Sequence, residues 1–272
     1  MLKLRVLTAL VLAPLAVWGT LALPSQWFAG VLGGIFCLAA WEWSRLAGLS
    51  HVVMRHLYVA MFVCLLIVLL GAETLYRTMV PLAAVATVWW GVALLFILSY
   101  PRGSGVWTSH PSTVSFAGVL SLLPGWVALA GLHWHVGKGY ALLLLLLVWG
   151  ADVGTYFAGR LFGNKKLAPQ VSPGKTWAGV WGAMAVTVLV AIGGAAMLQL
   201  PTREWPILVV ISLVTVAASI VGDLTESMFK RLSGVKDSGG ILPGHGGILD
   251  RIDSLVAAAP VFVLGLLWRA LL

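Results

Sequence analysis

Charge is what this sequence has least of. Only 10% of its 272 residues are Asp, Glu, Lys or Arg, and the acids number nine, whereas an ordinary soluble domain carries about 25% charged residues. With 60% hydrophobic residues and long apolar runs from end to end, that scarcity excludes a soluble globular domain and points to a polytopic membrane protein. Cysteine is nearly absent as well. Cys37 and Cys64 both lie in apolar runs, and no CxxC exists, which excludes a disulfide framework and a cysteine-built zinc site. The glycine-rich stretch GVKDSGGILPGHGG lacks the strand and the GK[ST] of a P-loop, so it is no Walker motif. No internal repeat is visible, and only Leu142–Leu147 is low in complexity. The net charge of +8 would suggest nucleic acid in a soluble chain. In a membrane chain it reflects Lys and Arg retained on the cytoplasmic side, and no nucleic-acid partner is expected.

A spanning helix needs roughly 20 apolar residues. Nine segments qualify: 6–23, 27–47, 56–72, 79–99, 115–133, 139–161, 178–199, 206–231 and 249–270. The opening MLKLRVLTALVLAPLAVWG imitates a secretory signal, but no soluble domain follows it, so an uncleaved first helix is expected. The expected fold is therefore all-α and polytopic. Residues 1–110 form four N-terminal spans, and residues 111–272 form a catalytic membrane region of five. With the N-terminus cytoplasmic and the C-terminus opposite, 13 of the 17 Lys and Arg residues fall on the cytoplasmic side and 4 on the other, as the positive-inside rule requires. Loops 162–177 and 232–248 then face the cytoplasm. Several of the fourteen tryptophans, such as Trp27, Trp43 and Trp268, fall near span ends, as an interfacial belt would. Glu42 precedes Arg45 by three positions and reads as half of an interfacial ion pair.

Against this background one block stands out: SIVGDLTESMFKRLSGVKDSGGILPGHGGILDRID, from Ser219 to Asp253. It holds five of the nine acids (Asp223, Glu226, Asp237, Asp250 and Asp253), four bases, and six glycines between Gly234 and Gly247. On the 206–231 helix, Ser219, Asp223, Glu226, Ser227 and Lys230 fall within an arc of about 100°. Asp223 lies about 26 Å along a span whose hydrocarbon core is about 30 Å thick, hence near the cytoplasmic boundary. Asp250 and Asp253 enter from the same side, and Asp152 reaches a similar depth on the 139–161 helix. Burying one such charge costs about 2.5–3.5 kcal/mol even on the lenient insertion scale, and converging carboxylates repel one another. A divalent cation relieves both costs, because hard cations take carboxylate oxygens. The alternative is a plain salt-bridge network, for which Glu226 and Lys230 at (i, i+4) are the best pair.

The glycine loop GVKDSGGILPGHGG permits close backbone approach to an anion. Lys230, Arg231 and Lys236 flank it, and Gly246 and Gly247 open the last helix, whose N-terminus favours negative charge. The loop FGNKKLAPQVSPGKTW adds Lys175 after Ser172. Carboxylates for a metal, with bases and glycines for phosphate, are equipment for phosphoryl or nucleotidyl transfer.

These residues resemble the phosphatidate cytidylyltransferases (CDP-diacylglycerol synthases) of bacterial type. The resemblance is carried by Ser227, Lys230-Arg231, Lys236-Asp237, Pro243, His245-Gly246-Gly247 and Asp250-Arg251-Ile252-Asp253, by GADVGTYFAGRLFGNKKLAPQVSPGKTWAG upstream, and by the opening MLKLR and the AAWEW stretch. Ala178 stands where many members carry Glu or Gln. The resemblance implies that CTP and phosphatidic acid give CDP-diacylglycerol and pyrophosphate, at the inner membrane of a bacterial-type cell. It implies Mg²⁺, an optional monovalent cation such as K⁺, and a homodimer. Combined with the residues themselves, it assigns Asp223, Asp250 and Asp253 to the metal, and Lys175, Lys230, Arg231 and Lys236 to phosphates. Ser172, Ser227, Asp237, His245, Gly246, Gly247, Arg251 and Asp152 are expected at the substrates. Two other classes share part of this equipment: a CTP-dependent lipid kinase, which transfers the γ-phosphate, and an ion-coupled transporter, whose acids belong at the bilayer midplane rather than at one face.

Overall fold

The computed structural model describes the backbone of residues 2–108, 110–241 and 246–271, and the side chains of residues 10–106, 110–241 and 246–269. Ten helices follow one another: α1 (Leu2–Ala22), α2 (Ser25–Leu46), α3 (Val52–Leu69), α4 (Ala72–Ser99), one-turn α5 (Gly105–Thr108), α6 (Pro111–Gly131), α7 (Lys138–Phe162), α8 (Trp177–Met197), α9 (Trp205–Leu232) and α10 (Leu249–Leu271). Eight of them are long and apolar enough to cross a bilayer by themselves or with a short extension. The remaining long helix, α1, is described as an apolar helix over Leu10–Ala22. The all-α polytopic expectation therefore holds, with boundaries close to those expected. The largest departure is α4, which starts seven residues before the expected 79. Its first turns leave the apolar window but are helical, with Glu73 in the first turn and an exposed (i, i+4) ion pair to Arg77 at 2.6 Å, an arrangement that favours a helix N-terminus.

Helix α6 is the central post. It is buried along most of its length, and its small residues let neighbours in, as close packing between membrane helices requires. At Gly118 the Trp43 ring of α2 lies where a side chain would otherwise sit. At Gly125 it is the Val256 backbone of α10, and at Gly131 the Met79 side chain of α4. Tryptophan indoles fix these contacts. Trp43 Nε1 donates to Val114 O (2.8 Å), Trp126 Nε1 to Ala29 O (3.1 Å), and Trp89 Nε1 to Ser121 Oγ (2.9 Å). Trp43 is thus a buried strut and not a member of an interfacial belt, whereas Trp27 and Trp268 are exposed. A turn of π-helix (Leu132–Val136) extends α6, and there His133 is buried between Thr20 O and Ser25 Oγ.

Helices α7 and α8 approach through Gly154 and Gly182, whose backbones meet; a side chain at Gly182 would strike Ala158 and the Gly154 carbonyl. Gly182→Val is expected to overpack this seam and cost about 1–3 kcal/mol, read as a lower melting temperature of the detergent-solubilised chain. An unchanged melting temperature would contradict this account of the seam.

Residues 162–177, expected as a loop, contain the one sheet among the described residues. Strands β1 (Lys166–Ala168) and β2 (Ser172–Thr176) pair antiparallel, with Lys166 opposite Thr176 and Ala168 opposite Ser172. Strand β2 runs straight into α8, whose first turn is capped by Thr176 Oγ1 accepting from Gly179 N–H at 3.2 Å.

Candidate active site

Four elements converge on one cleft. Asp152 of α7, Lys175 of β2, Ser219 and Asp223 of α9, and Ser254 of α10 all line it. The polar stripe of α9 causes this convergence, because it has no favourable place against lipid and turns inward toward α10. Gly222 completes the approach: the Asp253 carbonyl of α10 lies against it where any side chain would clash. Asp223 is the next residue along α9, and its charge acts on Asp253. The charges acting on Asp253 are those of Asp223 and Lys175, its carboxyl shares a hydrogen bond with that of Glu226, and the charges acting on Asp152 include Asp223, Lys175 and Arg251. Lys175 forms an ion pair with Asp223 Oδ2, and Ser227 Oγ donates to Asp223 Oδ1 at 3.4 Å. Asp253 Oδ1 accepts from Ser254 N–H at 2.7 Å.

One turn closer to the helix end lies a second cluster. The Lys230 ammonium sits between Glu226 Oε2 (2.7 Å) and Asp250 Oδ1 (2.6 Å). Lys230 was expected at a phosphate; instead it binds two carboxylates of its own chain. Asp250 was expected as a metal ligand; here it is bonded within its own chain. Its Oδ1 takes the Lys230 ammonium, and its Oδ2 accepts from Gly247 N–H (2.8 Å), Ser238 Oγ (2.9 Å) and Ser238 N–H (3.1 Å). A carboxylate offers about four lone-pair sites; the chain's own donors take three of those on Asp250, and the one Ser238 hydroxyl proton can go to Asp250 or to Glu42. The same bonds correct a third expectation. The start of α10 was to be open to an anionic ligand, but Asp250 takes the Gly247 N–H and Glu42 takes the Leu249 N–H at 2.8 Å. The chain's own carboxylates occupy the place a phosphate would take.

Among the described residues no three His, Cys, Asp or Glu side chains form a ligand cluster. The triad Asp223, Asp250 and Asp253 is thus not assembled around one point. The donor set still fits Mg²⁺ in a reduced form. That ion is usually held by one or two carboxylates together with substrate phosphates rather than by an all-protein cage, and Asp223 with Asp253 supply such a pair beside an open cleft.

The remaining expected residues are more dispersed. Arg231 is exposed, and its Nε donates to Val171 O (3.3 Å), tying α9 to the hairpin tip. Lys236 and Asp237 are exposed on the loop after α9, Arg251 is exposed on the first turn of α10, and Ser172 is half-buried on β2. Gly246 adopts a left-handed φ of 82°, which glycine accepts without strain. His245 lies outside the described residues. The residue that sequence reasoning misplaced is Glu42. It makes no ion pair with Arg45 among the described residues; it is 1% exposed and accepts from Ser238 Oγ (3.1 Å) and Leu249 N–H. Its signal was present, as an acid at an apolar span end flanked by two tryptophans, but its partners stand some 200 positions further on.

The chain is similar to known proteins along nearly its whole length. A model described as "Cytidylyltransferase family" matches residues 3–268. Curated proteins named phosphatidate cytidylyltransferase are similar over nearly the whole chain. The Pseudomonas aeruginosa protein is 44% identical, covering 99% of this chain and 98% of its own. The Haemophilus influenzae protein is 40% identical, covering 96% and 97%, and that of Brucella suis is 34% identical, covering 97% and 92%.

Proposed function

The chain belongs to the cytidylyltransferase family, and from that premise we propose how its cleft performs the transfer of a cytidylyl group from CTP to phosphatidic acid. The observation that carries the reading is the cleft itself: Asp223 and Asp152 line it, Lys175 on the hairpin is already paired to Asp223, and Asp253 precedes the lining residue Ser254. A phosphatidate phosphate oxygen, ionised at neutral pH, attacks the α-phosphorus of CTP. The new P–O bond forms as the bond from the α-phosphorus to the bridging oxygen breaks, and pyrophosphate leaves with that electron pair. No general base is needed, so the protein's task is alignment and charge neutralisation.

Each side chain has a part in that task. Lys175 exchanges Asp223 for the incoming triphosphate, which frees the carboxylate as the negative charge arrives. Arg231 and Lys236, both exposed, attract the two anionic substrates. Asp223 and Asp253 would hold a divalent cation, Mg²⁺ in this reading, with a monovalent cation such as K⁺ as an optional second ion. Once bound, such an ion supplies positive charge to the phosphate oxygens. Lys230, Asp250 and Glu226 hold the frame and do not touch substrate. The positive-inside distribution supports a cleft on the cytoplasmic side of the inner membrane, where CTP is soluble and phosphatidate reaches it sideways from the leaflet. A homodimer belongs to the same reading.

Radiolabelled CTP tests the reaction. With α-labelled CTP, phosphatidate and Mg²⁺, the purified chain is expected to carry label into lipid and release pyrophosphate in equal amounts. Lipid labelled from γ-labelled CTP would reassign the chain as a lipid kinase.

A further inference from the structure

Among the described residues, Glu42 is the only carboxylate that the N-terminal half sends into the charged region. It stands at the end of α2 between Trp41 and Trp43, 1% exposed. Its Oε2 accepts from Ser238 Oγ and from the Leu249 N–H that begins α10. The Ser238 hydroxyl, with one proton, lies between Glu42 Oε2 (3.1 Å) and Asp250 Oδ2 (2.9 Å). The loop backbone closes around the same carboxylate: side chains at Gly239 or Gly247 would collide with it. Its Oε1 has no hydrogen-bond partner among the described residues. A buried acid with half its acceptor capacity unmet costs stability, so packing alone does not account for a carboxylate here.

We propose that Glu42 is a positioning residue for nucleotidyl transfer, acting through Ser238 and the Leu249 N–H to fix where α10 begins and how its first turn is rotated. That first turn carries Asp250, which holds Lys230, and one turn on carries Asp253, whose carbonyl lies against Gly222 and whose carboxyl feels the charge of Asp223. A slip at Leu249 therefore moves Asp253 relative to Asp223, although Glu42 itself touches no substrate. The inference rests on the cytidylyltransferase reading above.

The test uses the full chain in detergent, with Glu42→Leu, Glu42→Gln, Ser238→Ala and the Glu42→Leu/Ser238→Ala pair. Pyrophosphate release is measured against CTP and phosphatidate concentration. Misplacing reacting groups by about 1 Å costs about 100-fold in rate, so Glu42→Leu is expected to lower kcat about 100-fold with KM for CTP within about threefold. Glu42→Gln retains an acceptor oxygen for Ser238 and Leu249 and is expected to recover kcat to within about tenfold of the wild type. Ser238→Ala is expected to lower kcat alone, yet to add little on the Glu42→Leu background, because residues acting in one chain are non-additive. Wild-type kcat in Glu42→Leu, a Glu42→Gln variant as impaired as Glu42→Leu, or full additivity with Ser238→Ala would each overturn the proposal. If Glu42→Leu does not fold, Ser238→Ala decides, and an unchanged kcat there overturns it. A wild-type chain that releases no pyrophosphate sinks the reading and the inference together, whereas wild-type release with an unimpaired Glu42→Leu sinks the inference alone.

Discussion

Replacing Lys230 by Met is expected to destabilise the folded chain by about 3–5 kcal/mol and to abolish turnover. The Lys230 side chain is 14% exposed and its two partners, Glu226 and Asp250, are 2% and 8% exposed. Removing the ammonium leaves two carboxylates close together in a site that water hardly reaches. The hydrocarbon stem of Met fills the space but answers neither charge. The loss of activity follows from the loss of place, since Asp250 organises Ser238 and Gly247 and so the start of α10. A Lys230→Met/Glu226→Gln double variant removes one of the stranded charges and is expected to recover part of the stability. Thermal unfolding of the three proteins in one detergent measures this; a double variant no more stable than Lys230→Met would show that charge burial is not the cause.

Asp223→Asn is expected to have the opposite profile. Its partner is Lys175, the pair lies at an open cleft, and the two side chains are 29% and 17% exposed. A partly solvated ion pair contributes about 0–1 kcal/mol, so the melting temperature should barely move. Turnover should fall about 10²–10³-fold, the range seen when one preorganised electrostatic group is taken from a transition state. Asn keeps the shape and the bond from Ser227 but supplies no negative charge to a cation and none to hold Lys175 in readiness. Pyrophosphate release and a melting curve on one preparation separate the two effects. An Asp223→Asn variant with near wild-type turnover would remove this residue from the site.

The spans were legible in the sequence because hydrocarbon thickness fixes their length, and the inward face of α9 was legible because 3.6-residue periodicity gathers Ser219, Asp223, Glu226 and Lys230 into one stripe. The hairpin was not legible. Strands of three and five residues, one containing Pro173 and Gly174, show no alternation to read. The role of Asp250 was not legible either, since an acid one residue into a helix looks the same whether it grips an ion or its own loop. Glu42 was misread for a related reason. The (i, i+3) rule offered Arg45 as a local partner, and tertiary contacts 196 and 207 positions away prevailed.

The self-capped start of α10 has a consequence for how this protein can change. Many phosphate sites are built from main-chain amides, so selectivity and fold are locked together and neither can drift without the other. Here the amides at Gly247 and Leu249 already serve internal carboxylates, and in the function proposed above recognition of the triphosphate passes to side chains. On that reading nucleotide preference is open to single-step evolutionary adjustment at Lys175 and Lys236, whereas Arg231 also holds the Val171 carbonyl of the hairpin.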